Sequence, residues 1–336
     1  MTPTTTHPAH LYDAALDVYY RPEIAVSSDP RGNYSRSPSK PRRYVEHLLG
    51  SPLAPLVVLR PHFAPVSREQ LLLAHRPDYV DAFLSGRGRD AASNGVVWSP
   101  EFADTVRYTN GSVVAAIRGA LARPGRVALT PTSGFHHARP NGGGGFCTFS
   151  GQVIAAVCAW REHGARGAWV DLDGHFGNSI EDSRAFAPEL ADAIPVGCNL
   201  NPDGEGADYL ADLERRLARL GERVLAGEIH YVAVAHGADS HVDDDLGGQV
   251  TTAEWLTASE LVYGAIGRWS AALGRPVPLV LALFGGYRHA DPDAVLALHA
   301  ADNAIALEIL AGVTFGATGE APQPLLVTRG LSHGPS

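Results

Sequence analysis

The chain has 336 residues, 45% apolar and 19% charged, with a formal net charge of −9. Such a composition supports a globular protein with a sizeable core, and acidity without a basic block argues against a nucleic-acid surface. No apolar run reaches the ~18–20 residues that cross a bilayer, so no membrane partner is expected. The Thr- and Pro-rich start lacks a charged leader, which makes a cytoplasmic location the expectation.

One domain over 1–336 is expected, with 1–10 and 330–336 as loose tails. Leu11 to Pro41 is Pro-, Ser- and Arg-rich and reads as an irregular surface segment. Lys40 is the only lysine, which, with abundant Arg, Ala and Gly, reads as the signature of a GC-rich bacterial genome. A short helix is predicted over Arg42–Leu49. Ser67-Arg68-Glu69-Gln70 suggests a capped start, and a second short helix covers Pro77–Leu84. Ser99-Pro100-Glu101 combines a capping side chain, a first-turn proline and an acid at the positive end of the dipole. The helix it opens runs to Arg123, with apolar residues at near-helical spacing. Arg126–Thr130 is β-type, Gln152–Arg161 helical and Ala168–Leu172 a strand. Another short strand is expected within Leu190–Gly197. Ala207–Leu220 is an amphipathic helix stopped by Gly221. Ile229–Ala235 and Val277–Phe284 are apolar strands, Thr252–Leu273 is helical, and Asp291-Pro292 starts a helix to about Leu310. Short apolar strands alternating with helices indicate α/β architecture with a parallel sheet covered on both faces.

Polar clusters follow four of the strands. Ser133 to Cys147 carries His136, His137, Asn141 and four successive glycines. Ala168 to Ser183 carries Asp171, Asp173, His175, Gly177 and Asn178. His236 to His241 contains Asp239, and Gly285-Gly286-Tyr287 ends the series. On a strand, Asp171 and Asp173 point the same way, and His175 continues their spacing. That stretch alone reads equally as an Asp/Gly-rich turn or as a metal site. Ligands bind at the carboxyl ends of strands in open α/β sheets, so four such loops converging on one rim favour the metal. The three cysteines, Cys147, Cys158 and Cys198, form no close-spaced pair. A metal would therefore need His and carboxylate ligands.

In this order, the Gly-x-His-His-Ala loop with its downstream Gly-Phe-Cys, Asp-x-Asp-x-His, Gly-Ala-Asp and Gly-Gly-Tyr resemble the histone deacetylase superfamily, including its bacterial amidohydrolase and acetylpolyamine amidohydrolase branches. The resemblance covers about Leu71 to Leu310. It implies the arginase/deacetylase fold, a three-layer α/β/α with a parallel sheet of about eight strands. It places one Zn2+ per chain on Asp173, His175 and Asp239, with an open position for water and substrate. It makes His137 the general base and His136 either its electrostatic partner or an aid to the leaving amine, oriented by Asn178 and Asp171 respectively. Tyr287 binds the substrate carbonyl and oxyanion, Gly145 offers its carbonyl to the amide N–H, and Phe146 lines the channel. A structural K+ at Asp171 is a further option the resemblance carries. The implied activity is zinc-dependent hydrolysis of an N-acyl amide on acetyl-lysine, an acetylpolyamine or a small acylated metabolite. Homo-oligomerisation is left open.

The chain departs from the family pattern in places. Phe176 replaces a second histidine. Asn201-Pro202 stands where relatives carry an aromatic, which predicts a less aromatic opposite channel wall. His241 has no assigned role. The irregular segment Leu11–Pro41 and the run Asp243–Asp245 are expected to form the rim. Two rival functions are an arginase-type ureohydrolase and a catalytically inactive scaffold. The first needs a second-metal carboxylate where Gly177 stands; the second is disfavoured by the retained His136, His137 and Tyr287.

Overall fold

Seven strands pair in parallel in one sheet: β1 (Leu16–Val18), β2 (Val57–Leu59), β3 (Val127–Thr130), β4 (Gly167–Asp171), β5 (Asn199–Leu200), β6 (Tyr231–Ala235) and β7 (Leu279–Ala282). Their order across the sheet is β2-β1-β3-β7-β6-β4-β5. This computed structural model describes residues 10–315 and the backbone of 323–324. Apart from His10, the expected loose tails lie outside the described residues.

The helices are α1 (Lys40–Leu49), α2 (Arg68–Leu71), α3 (Pro77–Ser85), α4 (Pro100–Ala122), α5 (Gly151–His163), α6 (Ser179–Ser183), α7 (Leu190–Ala193), α8 (Gly206–Leu225), α9 (Thr252–Leu273) and α10 (Pro292–Ala311). α4 packs with α5, and α9 lies between α8 and α10. Every residue of β3, β4, β6 and β7 is buried, as strands covered on both faces must be. The sequence signals for helix starts hold. Ser67 closes a capping box with Gln70, and the Ser99 hydroxyl accepts from the Phe102 N–H at 3.0 Å; the structure adds a box of Thr251 with Glu254 at the start of α9.

Several expectations need correction. The segment read as irregular contains β1, which lies inside the sheet between β2 and β3. Its Asp17 is buried and pairs with Arg60, Arg123 and Arg126 at 3.0, 2.9 and 2.6 Å. A three-residue strand with a charge at its centre has no alternation to read. The strand expected in Leu190–Gly197 is instead the helical turn α7, and the pairing residues are Asn199 and Leu200. Gly221 does not end α8; a Cβ there would meet Trp269 Nε1 at 2.4 Å, so the glycine admits α9. Among the described residues the sheet has seven strands, in keeping with the expected parallel sheet of about eight, and Val313–Thr314 pairs separately with Gln323–Pro324.

Among the described residues, one helix has the length and composition to cross a membrane: α10, at 20 residues and a mean hydropathy of 1.5. Its inner face explains it otherwise. Asp302 on α10 accepts from Tyr263 and Ser259 of α9 at 2.7 Å each, and lies 3.0 Å from His236 Nδ1. Asn303 accepts from the Tyr44 hydroxyl of α1 at 2.7 Å. These partners belong to the protein's interior, so α10 is a core helix.

His75 links α2, the His136–Cys147 loop and the start of α5. Its Nδ1 lies 2.8 Å from the Arg139 carbonyl oxygen, and its Nε2 accepts from the Ser150 N–H at 2.8 Å. The carbonyl can only accept, so Nδ1 holds the single proton and the ring is neutral. Burial drives its pKa down to about 4. The unfolded chain therefore binds more protons below about 6.5. Stability is full above that pH and falls as pH drops toward 4, by on the order of 3 kcal/mol for this group. Urea unfolding at pH 7 and pH 5 should show this loss, and His75→Gln should reduce the difference between the two pH values.

Candidate active site

The strands that precede the four polar clusters, β3, β7, β6 and β4, are consecutive neighbours in the sheet. Their carboxyl ends therefore deliver the four loops to one place. Asp173, His175 and Asp239 converge there, with one ligand atom from each lying within 4.8 Å of the others. His175 Nδ1 is 3.2 Å from Asp173 Oδ1 and 3.0 Å from Asp239 Oδ2. Both carboxylates are buried. Burial, reinforced by the Asp173 charge, raises Asp239 to about 7. Hydrogen bonds to the two carboxylates lift His175 to about 10. Two buried acids at this range call for a cation between them. Two carboxylates and one imidazole fit a tetrahedral zinc with a fourth position open.

The two adjacent histidines stand beside this group. His136 Nδ1 lies 3.0 Å from Asp171 Oδ2, and His137 Nδ1 lies 3.0 Å from Asn178 Oδ1. Burial opposes charge on His136, but the Asp173 and Asp171 carboxylates outweigh it and carry it up to about 9. Burial and then the His136 charge push His137 down to about 4. Each Nδ1 faces an acceptor oxygen and so keeps its proton, which leaves the His137 Nε2 lone pair free. Gly177 packs under this pair. A Cβ on it would lie 2.4 Å from Asp171 Oδ2 and 3.1 Å from His136 Cβ, so no carboxylate side chain fits where a second metal would need one.

Tyr287 lies across from them, its ring centroid 6.5 Å from that of His175 and 5.4 Å from that of Phe146. Its N–H donates to Asp244 Oδ2 at 2.6 Å, and no hydrogen bond to the described residues occupies its hydroxyl. Burial, then the Asp239 and Asp173 charges, hold that hydroxyl protonated well above the ordinary tyrosine range. Gly145 and Phe146 both have positive φ, at 48° and 63°, and Phe146 is anchored by its N–H to the Asn94 carbonyl at 2.8 Å.

The family model of the histone deacetylase domain matches residues 35–192. Chloroplastic histone deacetylase 14 of Arabidopsis thaliana is 31% identical over 172 residues, 44% of this chain and 40% of that protein. An uncharacterised protein of a Picosynechococcus strain is 29% identical over 244 residues, 66% of this chain and 76% of its own length. The crystal structure of the HDA15 HD domain superposes with a TM-score of 0.64 at 17% identity, covering 89% of this chain and 90% of that one. Residues 35–192 match the histone deacetylase domain, and the fold as a whole is that of a histone deacetylase domain. The aligned segment spans less than half of the Arabidopsis relative.

The predicted site residues from all four loops meet at one rim. Other features were not legible in sequence. Asn201 does not line a channel wall: its side chain is buried, and its Oδ1 accepts from the Gly177 N–H at 2.7 Å. His241 has a local role, with Nε2 2.7 Å from Thr252 Oγ1 and Nδ1 accepting from the Asp243 N–H at 3.0 Å. It folds the Asp243–Asp245 loop back toward Tyr287. Lys40, read as a mark of composition, is buried with its Nζ donating to the carbonyls of Phe284 and Gly285. Its status as the sole lysine was the available signal. The expected rim is partly realised: Asp244 and Asp245 from one segment and Tyr34 from the other reach the Tyr287 loop.

Proposed function

We propose that the chain hydrolyses an N-acyl amide, most simply an N-acetyl amide, to a free amine and a carboxylate, with one zinc held by Asp173, His175 and Asp239. The observation that carries this reading is the free His137 Nε2 and the free Tyr287 hydroxyl facing the same three-ligand group. Bound there, zinc supplies Lewis acidity toward a carbonyl and lowers the pKa of water. His137 Nε2 accepts the proton of the attacking water. Asn178 keeps His137 in the tautomer that can do so. The Tyr287 hydroxyl donates to the substrate carbonyl oxygen and, more strongly, to the oxyanion that develops from it. The Gly145 carbonyl accepts from the amide N–H, and Phe146 flanks the chain that leads to it. As the C–N bond breaks, the proton taken from water passes to the departing nitrogen. The Asp171 carboxylate, bound to His136, offsets the positive charge that the histidine pair gains.

The test is elemental analysis combined with a panel of acylated amines. About one zinc per chain, activity lost on chelation and restored by zinc, is the expected result. A folded, zinc-loaded protein inert to every acylated amine tried would overturn the reading in favour of a binding role.

A further inference from the structure

We propose that Tyr34 is a specificity-determining residue, forming with Phe146 an aromatic entrance that selects acylated amines with an apolar neck over acylpolyamines. The inference rests on the amide-hydrolase reading above. The Tyr34 ring is nearly parallel to that of Phe146, with 6.2 Å between centroids and 12° between planes, and Phe146 in turn packs on Tyr287. At 45% exposure, Tyr34 presents its ring to solvent at the mouth rather than to the core.

That exposed ring sits on a pinned backbone. The Tyr34 carbonyl oxygen is 2.9 Å from His289 Nε2, and the two rings meet edge-on at 4.5 Å. His289 is itself tied to Asp245 through both its N–H and its Nδ1, at 2.8 and 2.7 Å. On the other side, Asn33 Oδ1 accepts from the Val97 N–H at 2.7 Å. Ser35, next in the chain, is buried. A large apolar ring held out to solvent on a fixed frame is the arrangement of a binding wall.

The charges nearby point the same way. The Asp243–Asp245 run could have recognised a polycation, but each carboxylate is engaged. Asp243 pairs with Arg288 at 3.3 Å, Asp245 with His289, and Asp244 accepts from the N–H groups of Tyr287 and Leu246. Phe176, 65% exposed beside His175, and Leu246, 40% exposed, add apolar surface.

The test uses the zinc-loaded full chain with two substrates, N-acetyl-4-phenylbutylamine and N-acetylputrescine, which share a four-carbon spacer. The wild type should favour the phenyl substrate in kcat/KM by about tenfold or more. Tyr34→Ala should erase that preference through a higher KM for the phenyl substrate, and Tyr34→Phe should retain it. His289→Ala, which removes the strut but leaves the ring, should reproduce part of the loss. Preference for the putrescine derivative, or an unchanged phenyl KM in folded Tyr34→Ala, would overturn the proposal and leave the amide-hydrolase reading intact. A wild type inert to both substrates and to the wider panel would remove the hydrolase reading, and this inference with it.

Discussion

Tyr287→Phe should lower turnover by about a hundredfold or more, with the metal content unchanged. The substitution removes one atom. The ring keeps its packing on Phe146, and the backbone keeps its bond to Asp244. The lost hydroxyl has no partner among the described residues, so its removal strips no hydrogen bond from the fold. Burial and the neighbouring carboxylates hold it as a neutral donor across the working pH range. A donor aimed at a developing oxyanion contributes roughly 3 kcal/mol, because the interaction strengthens as the negative charge forms. The loss therefore falls on kcat rather than on substrate binding. Steady-state kinetics with elemental analysis of the same preparation separate the two. Unchanged turnover in a zinc-loaded variant would remove Tyr287 from the mechanism.

The features legible in sequence were those whose physics is local. Asp171, Asp173 and His175 interrupt an apolar strand within five residues, and a run of buried-type residues that ends in carboxylates is visible without a fold. The Ser67–Gln70 box marks its helix because both partners lie within one turn. Features built from distant partners were hidden. The segment holding Asp17 read as irregular surface because the partners of that carboxylate, Arg60 and Arg126, are 43 and 109 residues away. Asn201 was read as a weak channel wall, but its role is set by the Gly177 N–H in another loop. The entrance around Tyr34 is assembled from three segments that no spacing rule connects.

Lys40→Met should destabilise the protein by about 2–5 kcal/mol and slow catalysis, although Lys40 touches no substrate in the proposed mechanism. Lys40 lies 244 and 245 residues before the two carbonyls its ammonium binds, those of Phe284 and Gly285. Phe284 has φ of 56°, a conformation that a side chain with a Cβ rarely adopts, so the turn needs external support. The same turn places the Gly285 N–H on Asp173 Oδ2 at 2.8 Å and, two residues on, Tyr287 at the site. Methionine preserves the length and much of the volume of the side chain but leaves two carbonyls without their buried donor. It also removes a positive charge from beside Asp173 and Asp239. Burial weakens that charge, lowering Lys40 to about 8 against the pull of Asp239, Asp173 and Asp244, yet it is still mostly present at pH 7. Lys40→Arg, which keeps charge and donors, should recover more of both stability and turnover than Lys40→Met. Urea unfolding and kcat measured on both variants test this. Wild-type stability and turnover in Lys40→Met would show that the Phe284–Gly285 turn holds Tyr287 without the clamp.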